Sequence, residues 1–135
     1  MIFVQNELVI QSYDETVPCL KSELLATPLS SEFREICETQ IEIASRHKRD
    51  NPDVDYKNQL IITNKIGAMS PEDVEYVNTV QDKKLAALGV KRAAIIIPED
   101  IFHMLNLQEY MDSENFGIKK RMFDNEKDAV DWLQS

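Results

Sequence analysis

The chain has 135 residues, 43% of them hydrophobic and 29% charged, which is typical of one globular domain (residues 1–135) and excludes intrinsic disorder. Fifteen lysines and arginines stand against 24 aspartates and glutamates. The formal net charge of −9 argues against nucleic acid as a partner, because a phosphate backbone repels an acidic surface.

The N-terminal part contains three short apolar runs. Residues 2–4 and 8–10 flank a polar tripeptide, which predicts a tight hairpin. A third run, at residues 17–25, follows another polar stretch. Together they predict an antiparallel meander.

A long helix is predicted next. Residues 27–31 break the extended pattern and supply an N-cap serine. Apolar side chains then recur at helical spacing over residues 33–44, and the Asp-Asn-Pro at 50–52 ends the helix. An apolar run at 60–62, within residues 56–64, predicts a strand.

The remaining elements alternate between helices and strands. A helix is predicted over 70–88, ended by Gly89, and the uniformly apolar residues 93–97 predict a central strand covered on both faces. A helix at 100–111, a strand at 119–123 and a helix at 125–133 follow. The expected fold class is α/β, a mixed, mostly parallel sheet of βα units with the antiparallel meander at its N-terminal side.

No catalytic constellation stands out in the sequence. The three glycines are isolated, which excludes phosphate-binding loops and dinucleotide fingerprints. His47 and His103 lack the partner spacing of a zinc site. We therefore expect no catalytic residue, no metal and no cofactor. The alternative is a hydrolase whose carboxylates are brought together by folding.

The two cysteines, Cys19 and Cys37, are too few for a disulfide framework, and no secretory signal precedes them. No segment is apolar over the length that a transmembrane helix needs. We expect reduced thiols and a cytoplasmic location.

Ser70 is the most informative single position. It precedes Pro71, Glu72 and Asp73, so it has the setting of a helix N-cap. The alternative is regulatory phosphorylation, since the helix dipole favours added negative charge there.

The predicted third helix is apolar all round, which is more than one packing face requires. Core packing, a homodimer contact and the wall of an apolar cavity all explain this pattern. We predict that at least one of Phe102, Met104 and Met111 borders a dimer contact or a cavity. The apolar positions are Ile101, Phe102, Met104, Leu105, Leu107, Tyr110 and Met111.

The order of these elements resembles the SpoIIAA-like fold of STAS domains, a clan that includes bacterial STAS/SEC14-like proteins. Four segments carry the resemblance, at residues 30–35, 70–74, 89–96 and 121–133. The first two are similar to the openings of the family's first and second helices, the third to the strand before its third helix, and the fourth to its closing strand and helix.

The resemblance implies a non-enzymatic regulatory module related to anti-sigma factor antagonists. Those proteins bind a partner kinase and are switched by phosphorylation at the start of the second helix. Ser70 is the matching position, although Met69-Ser70-Pro71-Glu72 stands where the family has Asp-Ser-Ser/Thr-Gly. The SEC14-like side of the clan implies instead an apolar small molecule or lipid between sheet and helices.

Both functions are expected at the edge beyond the carboxyl ends of the parallel strands, where ligands sit in open α/β sheets. The expected partner is another protein, a regulatory kinase or a second copy of this chain, or else an apolar small molecule. The predicted surface residues are Asn64, Gly67, Met69, Pro98, Asp100, Phe102, Met104 and Met111.

Overall fold

The computed structural model describes residues 1–67, 69–104 and 112–135. One mixed sheet runs through them, in the order β1-β2-β3-β4-β5-β7-β6. Its strands are β1 Ile2–Gln5, β2 Val9–Asp14, β3 Cys19–Leu24, β4 Asn58–Ile62, β5 Arg92–Ile96, β6 Asp112–Asn115 and β7 Ile118–Phe123.

A helix follows each of β3, β4, β5 and β7 along the chain. The described helices are α1 Ser30–Asp50, α2 Pro71–Tyr76, a π-helical turn Val77–Gln81, α3 Asp82–Leu88, α4 Glu99–Met104 and α5 Glu126–Leu133. Among the described residues, none of these helices combines the length and the apolar character that crossing a membrane requires.

The predicted meander is confirmed, since β1, β2 and β3 pair antiparallel. The predicted central strand is confirmed as well, because β5 lies between β4 and β7 and pairs with both in parallel. Within the described ranges the sheet has three parallel and three antiparallel ladders, so it is mixed, and the expected parallel majority is not observed.

Helices cover both faces of the sheet. Because successive strand residues point to opposite faces, Ala93 packs with Ala44 of α1 and Leu85 of α3, whereas Ala94 packs with Ala129 and Leu133 of α5. The short α5 therefore covers β4, β5 and β7 on one side, and α1 with α2 and α3 covers the other.

Several predicted boundaries were wrong for physical reasons. Leu29 rather than a serine is the N-cap of α1, and the Ser30 hydroxyl instead donates to Asp73 Oδ2 at 3.2 Å. The predicted single helix at 70–88 is interrupted by the π-helical turn. Strand β6 was not predicted, because its Asp-Ser-Glu-Asn sequence has no apolar alternation.

The predicted helix at 100–111 coincides with the described structure only in part. Helix α4 begins at Glu99 and is described as far as Met104. The rest of that prediction, including Met111, lies outside the described residues.

Candidate functional site

A cavity of about 430 Å³ lies beyond the carboxyl ends of β4 and β5, between the sheet and α2; we call it the outer cavity. Its polar lining comes from Thr63, Asn78, Ser113 and Lys120 together with the backbone of Gly67. Its apolar lining residues are Ile66, Met69, Val74, Val77, Ile95, Ile97, Pro98, Ile101 and Met122.

Two apolar side chains of this lining remain exposed. Val74 is 44% exposed and Ile101 is 43% exposed. Both belong to the lining of the outer cavity, one on α2 and the other on α4. Exposed apolar side chains grouped around a concavity are typical of binding sites.

A second, smaller cavity of about 150 Å³ lies deeper, between α1 and the sheet; we call it the inner cavity. Phe33, Ile36 and Cys37 of α1 line it, opposite Leu24 and Ile61 of the sheet. The two cavities share a wall made of Thr63, Met69, Val77, Ile95 and Lys120.

A buried chain of amides borders the inner cavity. Gln81 donates from Nε2 to the Cys37 carbonyl at 3.3 Å and to Gln40 Oε1 at 3.1 Å, and Gln40 donates onward to Ser22 Oγ at 2.9 Å. Because a carbonyl can only accept, the first bond determines which end of the Gln81 amide faces Cys37.

Two amide oxygens in this region are buried, and the part of the chain that the structure describes gives neither of them a partner. Gln11 Nε2 donates to the Ile36 carbonyl at 3.3 Å, so its Oε1 must point elsewhere. Among the described residues, neither Gln11 Oε1 nor Gln81 Oε1 has a hydrogen-bond partner. Such unsatisfied acceptors are uncommon in folded proteins, and a ligand or water that donates a hydrogen bond would stabilise them.

The π-helical turn explains why Gln81 and its neighbour Asp82 are both buried. A π-helical turn carries an extra residue, so two successive side chains point toward the sheet. Asp82 Oδ2 then pairs with Lys120 Nζ at 2.5 Å and accepts a hydrogen bond from Asn115 Nδ2 at 2.9 Å. Lys120 thus places a cation in the wall between the two cavities, already paired with a carboxylate.

Ser70 caps α2, as its sequence setting predicted. Its hydroxyl oxygen accepts from the Asp73 backbone amide at 3.2 Å, and its own backbone is extended. The Asp73 side chain is buried, and its Oδ1 has no hydrogen-bond partner among the described residues. A phosphate on Ser70 would stand close to that carboxylate.

Three of the eight residues predicted to form a partner or ligand surface lie together in the structure. Gly67, Met69 and Pro98 line the outer cavity together. Asn64 and Asp100 are exposed nearby and are not among its lining residues, and Phe102 is buried outside that lining. The side chain of Met104 and the whole of Met111 lie outside the described residues.

The sequence did not point to Ile95, Gln81 or Lys120 as site residues. Ile95 belongs to a run that reads as core, and a buried glutamine or lysine has no distinctive spacing. A signal exists only for Gln81, which is a polar residue at a helix position that the apolar spacing makes a buried one.

Neither cysteine is suited to nucleophilic chemistry. Burial raises the pKa of the Cys37 thiol to about 12, and the nearby Asp73 charge acts in the same direction. Burial likewise raises the pKa of the Cys19 thiol to about 12. Both therefore stay protonated at neutral pH, and the protonated thiol is a poor nucleophile.

A cluster of metal-ligating side chains lies beyond the carboxyl ends of β5 and β7. Glu99, His103 and Asp124 each offer one ligand atom, and these atoms lie within 4.8 Å of one another.

Comparisons with protein-family models, with curated proteins and with solved structures give no match.

Proposed function

We propose that this protein is a non-enzymatic binding module for an apolar small molecule that enters the outer cavity. The observation that carries the proposal is the pair of exposed side chains, Val74 and Ile101, in the lining of an apolar cavity. This is the SEC14-like alternative implied by the sequence resemblance.

The size and position of the cavity support a small ligand. A volume of about 430 Å³ falls within the range usual for small-molecule sites, and the site lies beyond the carboxyl ends of parallel strands. Lys120 and Thr63 give the shared wall its polar groups. The ligand class is therefore an apolar body, acyl or aromatic, with one polar group.

Titration of the purified chain with medium-chain fatty acids and the matching alcohols tests this proposal. Isothermal calorimetry measures binding, and the melting temperature should rise by several degrees at saturation, because a ligand that binds only the folded state stabilises it. The alcohols show whether a carboxylate is needed for binding.

Val74→Lys places a charge at the mouth of the cavity and should weaken binding of the alcohols at least tenfold, because an uncharged ligand gains no ion pair with the added ammonium. Ala87→Lys is the matched control, since it adds the same charge at an exposed position of α3 outside the cavity lining. Absence of binding by the wild type would overturn the proposal, as would an equal loss in the control.

We propose partner switching as a second function. Ser70 is not among the residues that line the outer cavity, but it directly follows Met69, which is one of them. A phosphate there would change the charge at the cavity mouth and so change which protein surface it accepts. A pull-down from native cell extract with wild-type and Ser70→Asp protein tests this. A partner retained by one form only supports switching, and specific retention by neither form contradicts it.

A further inference from the structure

Glu99, His103 and Asp124 come together from two separate parts of the chain. Helix α4 follows β5, and Asp124 follows β7, and the parallel register pairs Ile96 with Phe123 at the ends of those strands. Both connections therefore leave the sheet at the same edge. The two histidine-to-carboxylate contacts measure 3.6 Å from His103 Nε2 to Glu99 Oε1 and 3.8 Å to Asp124 Oδ2.

We propose that these three side chains form a binding site for a divalent first-row transition metal ion. This inference is independent of the apolar ligand proposed above. One imidazole nitrogen and two carboxylate oxygens are ligands that Zn²⁺, Co²⁺ and similar ions accept, whereas Mg²⁺ and Ca²⁺ prefer oxygen alone.

The two histidine-to-carboxylate distances fit such an ion after small adjustments. Zinc bonds of about 2.0–2.2 Å in tetrahedral geometry place neighbouring ligand atoms about 3.4 Å apart. The observed separations of 3.6 and 3.8 Å are a few tenths of an ångström longer. His103 and Glu99 are one helical turn apart on α4 and their side chains are 63% and 77% exposed, so both can move by that amount.

A neighbouring amide orients one of the carboxylates. Asn125 Nδ2 donates to Asp124 Oδ1 at 2.7 Å, which leaves Oδ2 as the oxygen nearest His103. Asn125 is itself held as the N-cap of α5, where its Oδ1 accepts from the Asp128 amide at 2.8 Å. Such outer hydrogen bonds commonly orient metal ligands.

The site has three protein ligands, so water would complete the coordination. With a neutral histidine the two carboxylates leave a net charge of −2 to attract a cation. A bound ion would join α4 to the connection after β7. It would also restrain Ile101, two residues before His103, in the wall of the outer cavity.

The test is a titration of the untagged, metal-free chain with Zn²⁺ by isothermal calorimetry at neutral pH. We expect one ion per chain, a melting temperature that rises with Zn²⁺, and no competition from Mg²⁺ in excess. Co²⁺ should give visible absorption without the near-ultraviolet thiolate band, because both cysteines are buried and protonated.

Variants distinguish this site from general surface binding. His103→Ala and Asp124→Asn should each weaken Zn²⁺ binding by about tenfold or more, the scale on which even the outer partners of ligands act. Glu72→Gln, which removes an exposed carboxylate outside the cluster, should bind as the wild type does.

Absence of saturable Zn²⁺ binding would overturn the proposal. So would an equal loss of affinity in Glu72→Gln, or an unchanged affinity in His103→Ala. Circular dichroism of each variant confirms that it is folded, which we expect because His103 and Glu72 are exposed and asparagine has the size and shape of aspartate.

Discussion

The Lys120 ammonium lies 2.5 Å from the Asp82 carboxylate, and this ion pair joins β7 to the start of α3. The Asp82 side chain is only 3% exposed and that of Lys120 15% exposed. Because Lys120 also lines both cavities, the pair that holds the helix to the sheet forms part of the wall of the proposed binding site.

Lys120→Met should destabilise the protein by about 3–5 kcal/mol, because it leaves the Asp82 carboxylate buried without its cation. Asn115 Nδ2 still donates to that carboxylate, which favours the lower end of the range. Urea unfolding measures the change. Stability within about 1 kcal/mol of the wild type would show that the pair contributes little, as exposed pairs do.

The double variant Asp82→Leu with Lys120→Met should recover most of that loss, because replacing both partners of a buried pair by apolar groups is often close to neutral. The measurement is a double-mutant cycle in urea. A double variant as unstable as Lys120→Met alone would mean that the loss comes from packing rather than from the uncompensated charge.

Ser70→Ala should lower the free energy of unfolding by about 1 kcal/mol, because the Asp73 amide loses its capping acceptor. Ser70→Asp should lie closer to the wild type, since aspartate caps as well as serine does. Thermal unfolding of the three proteins checks the order. An alanine variant as stable as the wild type would contradict the capping role.

The two buried thiols should make the protein less stable as the pH rises. The unfolded thiol, with its usual pKa of 9.0, loses its proton before the folded one at about 12. Between these values the unfolded state binds fewer protons, so stability falls by up to about 1.4 kcal/mol per pH unit for each thiol.

Urea unfolding across that pH range should show a steeper fall for the wild type than for the double variant Cys19→Ala with Cys37→Ala. The double variant is the necessary reference, because burial also raises the pKa of Tyr13 and Tyr56 and so lowers stability in the same direction. Parallel slopes would show that the thiols do not contribute.

Gly89→Ala should cost about 1–2 kcal/mol, because Gly89 ends α3 with a φ of 107°, which a side chain disfavours. Gly67→Ala is the matched control. Gly67 is exposed, and an added Cβ would come no closer than 3.9 Å to the Thr27 hydroxyl. Urea unfolding should show little change in the control, and equal losses in both would contradict this explanation.

The sequence alone determined those features that depend on local chemistry or on uniform burial. The apolar run at 93–97 could only be a strand covered on both faces, and β5 is central. Gly89 ends α3, and Ser70 caps α2, because few other residues suit those backbone conformations.

Tertiary structure decided the rest, because those features depend on partners distant in sequence. Ser30 does not cap α1, since its hydroxyl donates to Asp73, 43 residues away. Gln81 and Asp82 are both buried because of a π-helical turn that no spacing of apolar residues predicted. His103 and Asp124 meet only because parallel pairing brings the ends of β5 and β7 to one edge, and such long-range pairing is invisible to local sequence pattern.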